Sequence, residues 1–310
     1  MNGYIHGDPF DEGMLPVGNI HQIYYAQYGL KDGLPDGGPG GGTRRSNTKF
    51  FNPKIYRVVL LDQRGTGNST PPSEIRENTT DHLLEDIETL RKHLGIGVWF
   101  MVFGGSWGSS LALLYAQEHP YRMKCIVVRG IFTFRLSEVR LAVGRQFFPD
   151  ALERFINYLP ENQRSEDPRH AYYMLLTSKD KSVALKAAIE WNRYDLTLTT
   201  LIPRPNAFAR LADPKWNMAH ALIFAHYLEN NFWREDGHIL KPENMAKIAH
   251  IPSIIVQGRY DMVCPPVTAW ELHRQWPLSE FHMIGDAGHS ASEDGTKAKL
   301  IEACDMLASI

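Results

Sequence analysis

Residues 104–108 read Gly-Gly-Ser-Trp-Gly, a G-x-S-x-G run in which small residues let the chain turn sharply around a serine. A serine hydroxyl is a weak nucleophile until a base takes its proton and a third group orients that base. Asp261 ends the run IIVQGRYD and His289 ends FHMIGDAGH. In both, an apolar stretch leads into a short polar loop, so each side chain belongs at a strand end, as Ser106 does after the apolar run Val98–Phe103. The chain has thirteen histidines; His289 is singled out by this position and by its neighbours Gly288 and Ser290. Asp286 and Glu293 are competing acids, but Asp286 is too close in sequence to His289 to approach it from a separate strand end. The set predicts acyl transfer. Ser106 attacks, His289 is the base, Asp261 holds the imidazole, and the Trp107 amide at the start of the following helix faces the oxyanion. The order Ser, Asp, His is one of the known orders for such a triad.

The elements that must position these residues can be read around them. Val58–Leu61, Val98–Phe103, Cys125–Val128, Ile254–Val256 and Phe281–Ile284 are short apolar runs that read as buried strands. Between them lie helical patterns. Leu83, Leu84, Ile87, Leu90 and Leu94 share one face, and Gly95 sits where a C-terminal cap belongs. Residues 107–118 have helical composition and stop before Pro120, and Leu300, Ile301, Cys304 and Leu307 mark a closing amphipathic helix. Strands alternating with helices predict an α/β architecture with a mostly parallel sheet. From about Leu136 to Ala246 the strand signal fades and Ala, Leu, Arg, Trp and Tyr recur at helical spacing, which predicts a helical insertion. The one biased segment, Gly33–Gly42, holds six glycines and two prolines and reads as a shaped loop.

Composition narrows the function. Of 310 residues, 43% are hydrophobic and 22% charged, an ordinary globular balance that excludes disorder. The net charge of −2 gives no basic excess for nucleic acid or anionic lipid, and no apolar run approaches the roughly 18 residues of a membrane span. The first residues lack the charged and apolar regions of a secretory signal. With three cysteines, Cys125, Cys264 and Cys304, and no C-x-x-C, the expectation is a cytoplasmic protein. No H-E-x-x-H occurs, the histidines show no zinc spacing, and no G-K-[ST] follows GGPGGG. No metal or cofactor is expected.

Longer motifs carry a family resemblance. GGPGGG (37–42), DQRGTGNS (62–69), NTT (78–80), VFGGSWGSSLAL (102–113), RGIF (129–132) and GRYDMVCP (258–265) resemble, in order, the proline iminopeptidase (prolyl aminopeptidase) family of α/β-hydrolases. The resemblance implies an α/β-hydrolase core, 1–134 and 247–310, with a helical cap, 135–246. It implies release of N-terminal proline from short peptides by a serine mechanism without metal. It also implies a second oxyanion amide from Gly37-Gly38, assigned to Gly38. Cap acids that bind the prolyl nitrogen are implied as well: WNRYD (191–195) resembles the family's W-x-x-W-E and assigns Asp195, while HYLENNFW (226–233) assigns Glu229. A buried carboxylate is the physical answer to an ammonium in a pocket. Cys264 matches a pocket cysteine. Asp62, Arg64 and Gly65 read as an architectural turn.

The chain departs from the resemblance twice. Before GGPGGG it reads GLKDGLPD, about four residues, or 13 Å of strand, short of the expected apolar run, with Asp36 in place of a histidine. The stretch 135–150 lacks an aromatic-Tyr-Gln segment expected to line the pocket. The first departure predicts a weakened sheet and a poorly held Gly38, with Ile23–Tyr28 as a candidate to fill the vacant strand. The residues leave other readings open: another serine esterase or amidase, a catalytically impaired form, or a silent binding protein. The oligomeric state is not legible.

Overall fold

The computed structural model describes residues 3–309 apart from 41, 139–140, 165–166 and 204–205, with backbone alone for 34–40, 136 and 141–143. Eight strands form one sheet: β1 Asp11–Val17, β2 His21–Gly29, β3 Leu34–Gly40, β4 Tyr56–Asp62, β5 Trp99–Ser106, β6 Met123–Ile131, β7 Ser253–Gly258 and β8 Ser279–Ile284. Their spatial order is β1-β2-β4-β3-β5-β6-β7-β8. β1 pairs antiparallel with β2, and β2 with β4; the ladders from β4 through β8 are parallel. All five strands expected from apolar runs are present.

The helices are α1 Thr80–His93, α2 Trp107–Glu118, α3 Leu141–Phe147, α4 Pro149–Asn157, α5 Arg169–Leu176, α6 Lys181–Thr197, α7 Pro214–Glu229, α8 Pro242–Ile248, α9 Pro266–Gln275 and α10 Asp294–Leu307. The strand period of two divides the core. Val59, Leu61, Val102, Ile126 and Val128 pack with α1 and α2. Val58, Leu60, Met101 and Val127 pack on the other face with Leu300, Ile301 and Cys304 of α10. Thr79 caps α1 by accepting from the His82 amide, and Gly95, at φ +66°, follows its last turn. No helix among the described residues is long and apolar enough to cross a membrane.

Between β6 and β7 the described elements are helical, as the composition predicts. The insertion is not uniform. α8 packs on α2, and Gln117 Nε2 donates to the Ile239 carbonyl at 2.9 Å, so the last helix before β7 belongs with the core layer. The outer helices α4, α5, α6 and α7 pack on one another around an aromatic cluster in which Phe155 stacks on Tyr172 and Tyr194.

The strand expected to be missing is filled, and not by Ile23–Tyr28. Those residues lie in β2, on the far side of β4. The vacant position is taken by Leu34-Pro35-Asp36-Gly37-Gly38-Pro39-Gly40, which pairs with β4 from Leu34↔Tyr56 to Gly40↔Asp62 and with β5 at Asp36↔Met101 and Gly37↔Val102. The expectation of a shaped loop at Gly33–Gly42 is therefore corrected. The short chain draws its glycine-proline residues back into the ladder by backbone pairing.

The DQRGTGNS turn after β4 is architectural, as expected. Buried Asp62 accepts from the backbone amides of Thr43 and, at 2.7 Å, Asn68. Arg64 makes a two-pronged pair with Asp86 of α1, Nε to Oδ2 and Nη2 to Oδ1, both 2.7 Å, with both side chains almost wholly buried. Asp86→Ala should lower stability to urea by about 3–5 kcal/mol, because it strands a buried guanidinium. The double variant R64L/D86L should recover most of that loss in the same measurement.

Candidate active site

The turn from β5 into α2 is strained at one residue. Ser106 has φ +58° and ψ −127°, a conformation that costs a non-glycine residue about 1–3 kcal/mol. The strain is tolerated because strand and helix approach closely: a Cβ on Gly104 would lie 2.1 Å from the Gly108 carbonyl oxygen. Ser106 is thereby lifted above the end of the sheet, with Trp107 as the first residue of α2. Ser109 Oγ donates to the Ser106 carbonyl at 2.7 Å and fixes the turn from inside the helix.

Asp261 and His289 meet beside it. His289 Nδ1 donates to Asp261 Oδ2 at 2.8 Å, and both are buried. The carboxylate is held on all sides: Oδ1 accepts from the Val263 and Cys264 amides at 3.0 and 2.7 Å, and Oδ2 also accepts from Gln257 Nε2 at 3.1 Å. That assigns Nε2 of the imidazole as the base position. The ring lies over Gly130, where a Cβ would meet His289 Cε1 at 2.9 Å, so only glycine fits. Gly130, at φ +54°, is the extra residue where the β5–β6 register slips between Gly105↔Arg129 and Ser106↔Ile131. The bulge thus sets the imidazole next to the serine strand. Nε2 lies 3.4 Å from Arg129 Nη1. Catalytic hydrogen bonds commonly tighten only once substrate is bound.

Above Ser106 a cavity of about 270 Å³ is lined from the core by Gln63, Ser106, Trp107 and Cys264, and from the cap by Trp191, Asp195, Phe224 and Tyr227, among others. Asp195 lies on this cavity with Oδ1 shielded from solvent. α6 and α7 are locked together beneath it: Asn192 Nδ2 donates to Asn217 Oδ1 at 3.0 Å, and Asn192 Oδ1 and His220 Nδ1 lie 2.8 Å apart. Cys264 lines the same cavity, and its amide holds Asp261.

Two expected residues are not brought to this point. Gly38 is a ladder residue opposite Leu60. Since Gly37 pairs with Val102, Gly38 falls level with Phe103, three residues or about 10 Å along the strand from Ser106. The short strand has pulled it away from the oxyanion position. Glu229 is exposed at the end of α7, where Oε1 lies 2.7 Å from His170 Nδ1, and it does not line the cavity. The cause is helix rotation. Tyr227 is anchored inward by donating to Asn78 Oδ1 at 2.9 Å, and at about 100° per residue Glu229 stands some 200° around from it. The residues of α7 that line the cavity include Ala219, Ile223, Phe224 and Tyr227, and Glu229 is not among them. The expected pocket segment at 135–150 lies partly outside the described residues.

Other residues here had no assigned role in the sequence reading. Arg129 donates to the His289 carbonyl at 2.9 Å, and burial pushes its guanidinium down against the opposing pull of Asp261. Glu293, weighed only as a rival acid, organises the histidine loop. Its Oε2 accepts from the Gly288 and Ser290 amides at 2.9 and 3.2 Å, and Oε1 from the Leu201 amide at 3.0 Å. The signal for it was an acid four residues after a histidine at a strand end. Gln63 had no signal beyond its place in DQRG.

Comparison with known proteins agrees with this geometry. A family model described as the alpha/beta hydrolase fold matches residues 34–296. A proline iminopeptidase of Arabidopsis thaliana is 43% identical over 97% of this chain and 80% of its own length. A probable proline iminopeptidase of Leptolyngbya boryana is 46% identical over 96% and 94%. Among solved structures, VinJ superposes with a TM-score of 0.67 at 20% identity, covering 97% of this chain and 99% of that one, a likeness of fold alone. With curated relatives aligned along nearly its whole length, and the serine, aspartate and histidine gathered at one end of the sheet, the chain belongs to the proline iminopeptidase family of α/β-hydrolases.

Proposed function

We propose that this chain is a serine aminopeptidase that releases N-terminal proline from short peptides. The observation that carries the reading is the 2.8 Å pair between His289 and Asp261 beside a strained Ser106, beneath a cavity lined by the carboxylate residue Asp195 of the cap helix α6. Ser106 Oγ attacks the prolyl carbonyl while His289 Nε2 takes its proton. The oxyanion forms against the Trp107 amide at the start of α2. The imidazolium then protonates the departing amine, and water repeats the sequence to free proline. Asp261 keeps the Nδ1 proton in place throughout.

Recognition of the free imino group falls to Asp195. The surrounding wall of Trp191, Phe224 and Tyr227 suits the apolar face of a pyrrolidine ring. A second acid at Glu229 is not part of this reading, because it pairs with His170 outside the cavity. The three cysteines are buried thiols that form no disulfide with one another, which supports a cytoplasmic setting.

Ser106→Ala and His289→Ala should each lower kcat on a prolyl arylamide by about 10⁴-fold with the fold retained; near-normal turnover by folded Ser106→Ala would remove the mechanism. Asp195→Asn should cost kcat/KM about 2–5 kcal/mol, the range for truncating one side of a buried charge pair, whereas Glu229→Gln should stay within a few fold of the parent. A panel setting prolyl arylamide against its N-acetyl form and an aryl ester tests the specificity: comparable turnover of all three would point to a general esterase instead.

A further inference from the structure

Gln63 has no role in the mechanism above, yet it lines the cavity with Ser106 and Trp107 and is only 5% exposed. Its Oε1 accepts from Trp107 Nε1 at 2.9 Å. An indole nitrogen can only donate, so the carboxamide orientation is fixed with its oxygen toward the indole. The Nε2 group is then left buried, with no hydrogen-bond partner among the described residues. Buried amide groups almost always have partners, and an orphan beside a reaction centre calls for a ligand.

The sheet register says where this donor stands. Gly37 pairs with Val59 of β4 and with Val102 of β5. Counting four residues on from each reaches Gln63 and Ser106. The two are level at the same end of the sheet, one strand apart, and the indole bond ties the Gln63 carboxamide to the first residue of α2. The intervening strand, β3, does not deliver Gly38 to this level.

We infer that Gln63 Nε2 is the side-chain donor of the oxyanion site, acting with the Trp107 amide. As the Ser106 Oγ–carbon bond forms, the carbonyl π pair moves onto oxygen and the hydroxyl proton passes to His289. The negative oxygen accepts from Gln63 Nε2. When the carbonyl reforms, the C–N bond breaks, the imidazolium protonates the amine, and the Gln63 contact weakens again. The inference rests on the serine acyl-transfer part of the proposed function and is independent of proline specificity. Trp107 is a positioning residue for it through its side chain.

Gln63→Met removes the donor at similar size. The expected result is a kcat loss of about 10²–10³-fold on the prolyl arylamide with KM within about threefold. Affinity for a prolyl boronic acid, whose tetrahedral serine adduct places an oxygen where the oxyanion forms, should fall by a similar factor. Inhibition by free proline should stay within about threefold, which a merely structural disturbance of the pocket would not allow. Gln63→Glu keeps an oxygen for Trp107 Nε1 and should lose as much; it serves where Gln63→Met does not fold. The rate of fluorophosphonate labelling of Ser106 should drop in parallel. Folded variants with boronate affinity and labelling rate within threefold of the parent would overturn the inference, as would equal weakening of boronate and proline. If the parent labels but leaves prolyl arylamide intact, proline specificity fails while the labelling rates still decide the role of Gln63.

Discussion

The structure depends on one strained residue. A serine at φ +58° can be held only if strand β5 and helix α2 press together, and that requires Gly104 to sit where any side chain would strike the Gly108 carbonyl. Much else follows from holding that turn. The buried positions that follow Trp107 in α2, with Ser109, Ser110, Leu111 and Ala112 all sealed, supply packing against which about 1–3 kcal/mol of local strain is small. Ser110 Oγ donates to the Phe132 carbonyl at 2.6 Å, which ties α2 to the end of β6, the strand whose bulge seats His289. The serine and its base are therefore positioned by one connected piece of core.

The candidate triad was legible because each member stands where an apolar run stops, and strand ends in a parallel sheet collect at one edge. The sheet's first three strands were not. β1 carries Pro16 and three charged or glycine positions at its start, an edge-strand composition. β2 mixes Tyr, Gln and His with one Ile. β3 is glycine and proline at five of seven positions, and no propensity scale would make it a strand. It forms because the ladders of β4 and β5 leave one open slot of backbone groups that must be paired.

The rotation of α7 was illegible for a different reason. Pro214–Glu229 is apolar around most of its circumference, with Ala219, Ala221, Leu222, Ala225 and Leu228 all buried, so sequence pattern does not fix which side faces the catalytic end. The phase is decided by a long-range contact, Tyr227 to Asn78. A motif aligned on HYLE then reads an acid into the cavity where the helix puts Phe224. The WNRYD assignment had firmer support, since Trp191 and Tyr194 are both buried and fix the phase of α6 around Asp195.

The same contact links recognition to chemistry. Asn78, which receives Tyr227, donates through Nδ2 to the Arg64 carbonyl at 3.2 Å and the Glu74 carbonyl at 2.9 Å. Arg64 is clamped to Asp86 and adjoins Gln63, whose oxygen receives the Trp107 indole. Trp107 in turn packs edge-on against Tyr227, with ring centres 4.9 Å apart. The loop closes on itself: cap helix, polar turn, elbow residue and cap helix again. A side chain that shifts α7 must therefore strain the turn that carries Gln63, and a change in the turn must move the aromatic wall of the cavity. The buried Arg64–Asp86 pair does not itself line the cavity. Its value is registration of one cavity wall against the other, which an apolar pair of equal volume would hold less specifically even where it held the fold as well.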